Sequence, residues 1–354
     1  MTDPTGALTK KVFSMFNLFQ KKSALFCFSL ALVAFPFYAQ AQENAHPEED
    51  SLTLQWPLNC TVYKDCFIKY YPDLRVGTDP AKPIDYKCGQ RTRPGHAGTS
   101  IVYKDYTTTR NQTVLAMAPG RVMFIRDDFS DNRRYGEKSA HACGNYVQIR
   151  HSNIFSSKYC HLGKSSINVE IGEKVEAGAE LALVGSSGAA GQPKLYVQLL
   201  KNNQPIDPFT SRMLSRPSEC FSRADKQMWA EHIPYPKAGV MEASFAMGVP
   251  TINALNFEAP VIETLPASLP NLSVWVRVFG IKKGDKEEII IKTPQGEVWH
   301  KNERRHSTSA NFWTAFLTAK PSASLEKGVW QGVYTLNREG ESILEHTFEV
   351  HVTD

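Results

Sequence analysis

The sequence has no basic stripe, no long helical periodicity, no short-spaced cysteine pairs and only one extended apolar run near its start. Each absence closes a class of function. Without a stripe of Lys and Arg, the charge pattern does not support nucleic acid as a partner. Without long apolar repeats at helical spacing, helical bundles do not fit. Without cysteines a few residues apart in pairs, a metal–cysteine cluster has no framework. The apolar run at residues 24–37 is shorter than the ~20 residues that a membrane span needs. The formal net charge of +4 is also unevenly placed. Lys10, Lys11, Lys21 and Lys22 against Asp3 put most of it in the first 41 residues, and the rest is nearly neutral.

What is present fits a secreted β-rich protein. The length of 354 residues suggests about two domains. A hydrophobic share of 42% and a charged share of 21% are enough for real cores. Lys21 and Lys22 end a basic segment, the apolar run follows, and Ala39-Gln40-Ala41 forms a small-x-small cleavage site. Residues 1–41 are therefore expected to be a signal peptide, with cleavage after Ala41 and no stable membrane span afterwards. Cys27 would leave with it. Cys60, Cys66, Cys88, Cys143, Cys160 and Cys220 remain, and an even number in a secreted chain argues for disulfides. Six cysteines allow fifteen pairings, so most of the connectivity stays open. Cys60 and Cys66 are close enough for a local loop. Cys143 and Cys160 flank an expected hairpin and can meet across it.

Along the chain, residues 42–51 are polar and acidic and read as a linker. Residues 70–87 hold Pro72, Gly77, Pro80 and Pro83 and read as an irregular surface loop. Short strands with tight turns follow at residues 114–117, 121–125, 146–150, 158–162 and 181–184. Residues 127–142 are charged and read as a solvated loop. Residues 222–232 read as a short helix capped by Ser222. Beyond residue 253, alternating stretches such as Leu272, Val274, Val276 and Val278 predict a second β domain, an immunoglobulin-like sandwich. His300 and His306 fall in a polar run read as a solvated loop.

The central stretch resembles the LytM-type (lysostaphin-like, M23 family) metallopeptidase domain. The resemblance rests on His96-x-Gly98, on Ala116-x-Ala118-x-Gly120-x-Val122, and on Gly144-Asn145-Tyr146-Val147-x-Ile149-x-His151. It continues through Tyr159-x-His161-Leu162, Gly172-x-x-Val175-x-x-Gly178, Leu183-Val184-Gly185-x-x-Gly188 and Asp207-Pro208. It covers residues 55–210 well and the C-terminal part loosely. It implies an all-β domain and a zinc ion held by a His, an Asp four residues later and the second His of a His-x-His strand. It also implies two assisting histidines.

Only part of that set is present. His96 stands at the first ligand position and His161 at one assisting position. Ser100 stands where the Asp belongs, Lys194 where the other assisting His belongs, and Tyr196 where the ligand His belongs. In an extended strand Lys194 and Tyr196 face one side while Leu195, Val197 and Leu199 face the other. The core face is kept and the site face is rewritten. A neutral hydroxyl is a poor substitute for a carboxylate, and a phenol must lose a proton of pKa ~10 to bind metal well. A Lys ammonium ~5 Å from a divalent ion is repelled by several kcal/mol at an effective dielectric of ~20.

The reading that follows is a periplasmic or secreted, non-catalytic peptidase-like protein with no cofactor. Its groove (His96, Ser100, His161, Lys194 and Tyr196) would bind peptidoglycan peptides or regulate a cell-wall hydrolase. The alternative is an active zinc endopeptidase in which Asp105, His141 or Tyr196 joins His96 and His161. A third reading is a metal-free hydrolase using Ser100 and Lys194 as nucleophile and base. His151, ending a strand, is expected to be structural. The expected layout is a signal peptide at 1–41, a linker at 42–54, the peptidase-like domain at 55–210, a connector with a short helix at 211–250 and a β-sandwich at 251–354.

Overall fold

The computed structural model describes residues 51–75, 83–110, 112–131, 140–214, 227–257 and 261–354. The expected signal peptide at 1–41, Cys220 and most of the expected linker lie outside them. The first part is built from β1 (Cys66–Tyr70), β2 (Thr99–Tyr103), the short helix α1 (Tyr106–Arg110), β3 (Thr113–Leu115), β4 (Gly120–Arg126) and β5 (Asn145–Arg150). It continues with β6 (Phe155–Leu162), β7 (Lys174–Val175), β8 (Glu180–Leu183), β9 (Leu195–Lys201), β10 (Gln204–Asp207) and β11 (Arg212–Met213). Nine of these strands form one sheet, in which the order β1-β2-β9-β6-β5-β4-β7 carries β10 and β11 off β9. β3 and β8 pair separately.

Period-two alternation makes the sheet two-faced. In β9 the residues Leu195, Val197 and Leu199 are buried, while Tyr196 and Gln198 between them are half-buried. In β5, Asn145, Val147 and Ile149 are buried and alternate with more exposed neighbours. The apolar face packs against Val114, Ala116, Leu181 and Val184 in one core. His151, just past β5, sets its Nδ1 2.8 Å from the Pro119 carbonyl.

Within residues 70–87, the described stretches 70–75 and 83–87 depart from the expected surface loop, and residues 76–82 lie outside the described set. Tyr71, Asp73, Leu74, Asp85 and Tyr86 are buried. The rings of Tyr71, Tyr86 and Phe209 lie 4.9–5.2 Å apart, and Trp229 and Tyr235 join them. The prolines suggested exposure, but the aromatic residues Tyr71 and Tyr86 are pulled into the core. The Asp85 carboxylate accepts the backbone N–H groups of Lys87, Gly89 and Arg91 at 2.9–3.0 Å and the Tyr235 hydroxyl at 2.7 Å. Leu54, at the end of the expected linker, is also fully buried and bridges Trp229.

Two disulfides agree with the sequence reading, Cys60–Cys66 and Cys143–Cys160. Cys88 is disulfide-bonded as well. In the charged excursion at 127–142, Asp127 accepts backbone N–H groups of Ser166 and Ile167, so it ties a loop rather than facing water alone. Residues 227–232 of the expected helix are not helical, and residues 222–226 lie outside the described set.

The second part contains β12 (Gly239–Met247), the helix α2 (Ile252–Phe257), β13 (Thr264–Pro266), β14 (Leu272–Ile281), β15 (Lys286–Lys292), β16 (Val298–Arg305), β17 (Ala310–Ala319), β18 (Gly328–Arg338) and β19 (Glu341–Thr353). A three-stranded sheet, β12-β14-β17, and a five-stranded sheet, β13-β19-β18-β15-β16, bury one core that includes Val274, Val276, Ile289, Trp330 and Val350. β12 lies in the stretch read as connector. The expected loop around His300 is the exposed strand β16. His306 beyond it is buried, with Nε2 3.3 Å from the Glu287 carboxylate, which also accepts the Tyr334 hydroxyl at 3.1 Å. The polar composition of β16 reflects its place at the end of the sheet, where charged side chains discourage further pairing. The two parts meet at Phe67, Val102, Met241 and Phe279 and through a Lys104–Glu242 salt bridge of 2.5 Å.

Asp85→Ala would leave three backbone donors near the core without acceptors. It is expected to lower the unfolding free energy by about 3 kcal/mol, read from urea denaturation.

Candidate functional site

The candidate site is a cross-strand row. β9 lies between β2 and β6, and its register sets Tyr196 opposite Ser100 on one side and Cys160 on the other. One pair further along, Gln198 stands opposite Lys158. His96 lies in the loop entering β2, His161 lies next to Cys160 near the end of β6, and Lys194 immediately precedes β9. The five expected groove residues therefore lie near one another, but Ser100 and Lys194 are buried, and only His96, His161 and Tyr196 line a cleft. A cleft of about 260 Å³ is lined by His96, His161, Tyr196, Arg93, Lys158 and Gln198, among others.

His96 is 4% exposed, and its ring lies edge-on to Tyr70 at 5.5 Å and to Tyr196 at 5.2 Å. Arg93 Nε donates to His96 Nδ1 at 3.3 Å. The proton of the neutral imidazole must then sit on Nε2, which is 3.1 Å from Ser100 Oγ and donates to it. Burial, followed by the cations Arg93 and Lys194, pushes the His96 pKa well below its usual value.

His161 takes the opposite tautomer. Its Nδ1 donates to the Ser187 carbonyl at 2.9 Å, which leaves the lone pair on Nε2. Burial and then Lys194 bring its pKa down to about 3. Its backbone has φ 66°, a left-handed conformation uncommon outside glycine. The Cys143 carbonyl holds its N–H at 2.8 Å, and the Cys143–Cys160 disulfide closes the same corner.

Tyr196 is half-buried, and burial raises its hydroxyl pKa, so it stays protonated at neutral pH. A Cβ on Gly98 would sit 2.7 Å from the Tyr196 ring, so only glycine lets this ring lie over the strand. Lys194 is buried at 4% exposure, with its backbone N–H on the Gly185 carbonyl at 3.2 Å.

Of the three residues considered as replacement ligands, Tyr196 lies beside both imidazoles, while Asp105 and His141 have other partners. The Asp105 carboxylate receives the Thr108 N–H and hydroxyl, both at 2.6 Å, at the head of α1. The His141 ring lies 5.3 Å from Phe129, with Nδ1 3.4 Å from Arg126. Among the described residues, no three of His, Cys, Asp and Glu converge as a metal-holding group. Arg93, Lys158 and Gln198 were missed from the sequence. Gln198 was accessible by counting two residues from Tyr196 along one strand face. Arg93 gave no signal, because its role depends on how the 83–98 loop folds back.

An all-β domain with a cleft on the polar face of a twisted sheet defines the class. Residues 96–208 match peptidase family M23, so the chain carries an M23, LytM-like domain. The peptidoglycan DD-endopeptidase ShyB of Vibrio cholerae is 31% identical over 139 residues, 39% of this chain and 28% of that protein. The DD-carboxypeptidase/endopeptidase Mpg of Neisseria meningitidis is 29% identical over 155 residues, 44% of this chain and 31% of that one. The match thus spans under a third of these relatives. A solved zinc-containing peptidase from Vibrio cholerae shares 23% identity over 42% of this chain and 41% of that one, with a TM-score of 0.27. No helix among the described residues is long and apolar enough to cross a membrane.

Both histidines are neutral in the fold and bind protons once unfolded, where the pKa is ~6.5. Stability is therefore expected to be full above about pH 6.5 and to fall as pH drops toward 3. His161→Gln should flatten that slope. Urea midpoints measured across this window check it, and an unchanged slope would count against a buried neutral His161.

Proposed function

We propose that the chain is a bacterial envelope protein whose M23 cleft binds peptidoglycan peptides, or a cell-wall hydrolase, without zinc-dependent cleavage. The observation that carries this reading is the filling of the cleft between His96 and His161. Tyr196 places a protonated phenol beside both imidazoles. Ser100 takes the His96 Nε2 hydrogen bond. Burial first, and the cations Lys194 and Arg93 after it, lower the pKa values of both rings. Two imidazoles, a neutral hydroxyl and a neighbouring cation are a poor donor set for zinc, which takes thiolate, imidazole and carboxylate ligands. The residues present do not fit the ion.

The same cleft suits peptide binding. The Tyr196 ring supplies apolar surface, and Gln198, Lys158 and the His161 Nε2 lone pair supply hydrogen bonds of both kinds. The relatives named as peptidoglycan endopeptidases support a cell-wall role, and the signal at residues 1–41 supports a periplasmic or secreted location.

Protein purified without added metal is expected to contain far less zinc than chain by elemental analysis. The triple variant Ser100→Asp, Lys194→His, Tyr196→His is expected to take up close to one zinc per chain. Equimolar zinc in the unaltered protein would overturn the metal-free reading. Soluble peptidoglycan peptides should bind the unaltered protein in calorimetry, and Tyr196→Ala should weaken that binding about tenfold.

A further inference from the structure

A second cleft, of about 520 Å³, lies where the two parts of the chain meet. It is twice the volume of the His96 cleft and shares no lining residue with it. One wall comes from β1, β2 and α1, the other from the C-terminal sheets.

Its lining includes five consecutive residues of β17: Phe312, Trp313, Thr314, Ala315 and Phe316. Successive residues of a strand face opposite sides, so a cavity over one face meets only every second residue. Five in a row means that the cavity meets β17 along its edge, where the backbone donors and acceptors lie. β17 pairs with β14 on one side and with no other strand among the described residues. Asn302 and Arg304 line the cleft from β16, the end strand of the other sheet.

The charges of the lining have one dominant sign. Lys69, Lys104, Arg277 and Arg304 all line the cleft. Lys104 has a salt bridge, to Glu242, and the other three have none among the described residues. The anion of the lining, Glu287, is engaged by Tyr334 and His306. Arg304 lies over the Trp313 ring at 5.3 Å and Lys69 over Phe312 at 5.6 Å, so the cations stand beside aromatic surface. Phe316 is 42% exposed and Ile252 47%. The Trp313 indole N–H and the Tyr103 hydroxyl, both in the lining, are buried with no hydrogen-bond partner among the described residues.

We propose that this cleft binds an extended acidic peptide segment of a partner protein, which adds as a strand to the open edge of β17. The backbone of the segment pairs with β17. Its carboxylates meet Arg304, Arg277 and Lys69, and its apolar side chains lie on Phe312, Phe316 and Ile252. Strand addition of this kind draws affinity from main-chain hydrogen bonds and specificity from side-chain pockets. This inference concerns a different surface from the His96 cleft and stands whatever the zinc content proves to be.

The test is fluorescence anisotropy with the full chain and a labelled L-peptide of alternating Glu and Leu, about ten residues long. Saturable binding that weakens with salt is expected. Arg304→Glu should weaken it at least about tenfold. Lys301→Glu, on the same strand but paired with Glu288, should leave it unchanged. The same peptide N-methylated at alternate residues keeps its charge but loses one edge of hydrogen bonds, and it should not bind. Thermal unfolding of both variants confirms that they are folded. Equal binding by the N-methylated peptide, by a Lys–Leu peptide or by Arg304→Glu would overturn the proposal. So would displacement of the peptide by soluble wall fragments, or dimerisation of the chain that Arg304→Glu abolishes, since each assigns the edge to another occupant.

Discussion

The register of β9 between β2 and β6 is the constraint on which the site depends. It stacks Leu195, Val197 and Leu199 into the core and leaves Tyr196 and Gln198 on the cleft side. A slip of one residue would send the apolar set to the cleft and the polar set to the core. The burial of three aliphatic side chains, each about 1.5–3 kcal/mol, holds that register. The cleft residues contribute little to it. Side chains on that face can therefore differ widely in chemistry while the scaffold stays in place, and a phenol and an ammonium can occupy a face whose backbone matches a peptidase family.

Desolvation sets the electrostatics of this face. His96 and His161 are both buried, and both stand close to cations. In such surroundings a third and fourth positive charge is disfavoured, so the imidazoles stay neutral. Their tautomers are then fixed from outside the cleft, by Arg93 at His96 and by the Ser187 carbonyl at His161. The result is one imidazole that presents a donor to Ser100 and another that keeps a lone pair. The same two side chains thus play different hydrogen-bonding roles because different neighbours hold their far nitrogens.

Much of this was legible in the residues. The ordered glycines and the His-x-Gly, Tyr-x-His-Leu and Asp-Pro segments identified the fold, and strand alternation put Tyr196 on the cleft side, while Lys194 is buried outside the cleft lining. The Cys60–Cys66 and Cys143–Cys160 bridges were within reach of local spacing. What escaped were features decided by long-range packing. The prolines of residues 70–87 suggested a surface loop, yet Tyr71 and Tyr86 are drawn into an aromatic cluster with Phe209, more than 120 residues away along the chain. His306 read as solvated because its neighbours in sequence are charged, and it is buried because Glu287, on the neighbouring strand β15, offers it a partner. Arg93 was invisible for the same reason: its partner His96 is near in sequence, but the loop that aims it is shaped by Asp85 and Asp73.

Arg93 also links the two clefts. Burial is the main cause of the depressed pKa of His96 and His161 in one and of Lys69, held at about 8, in the lining of the other, and Arg93 adds to it in all three. A carboxylate arriving beside Lys69 adds a negative charge within the field that these groups share. It raises the Lys69 pKa directly and, with distance, offsets part of the positive potential at Arg93. If the proposed peptide binds there, linkage makes any effect of its charge reciprocal between the clefts. Screening limits the reach of this coupling to about 8–10 Å through water, but the path between Lys69 and His96 runs past Tyr70 and Arg93 on partly buried protein, where screening is weaker. What the two clefts share is thus the Arg93 charge placed between them.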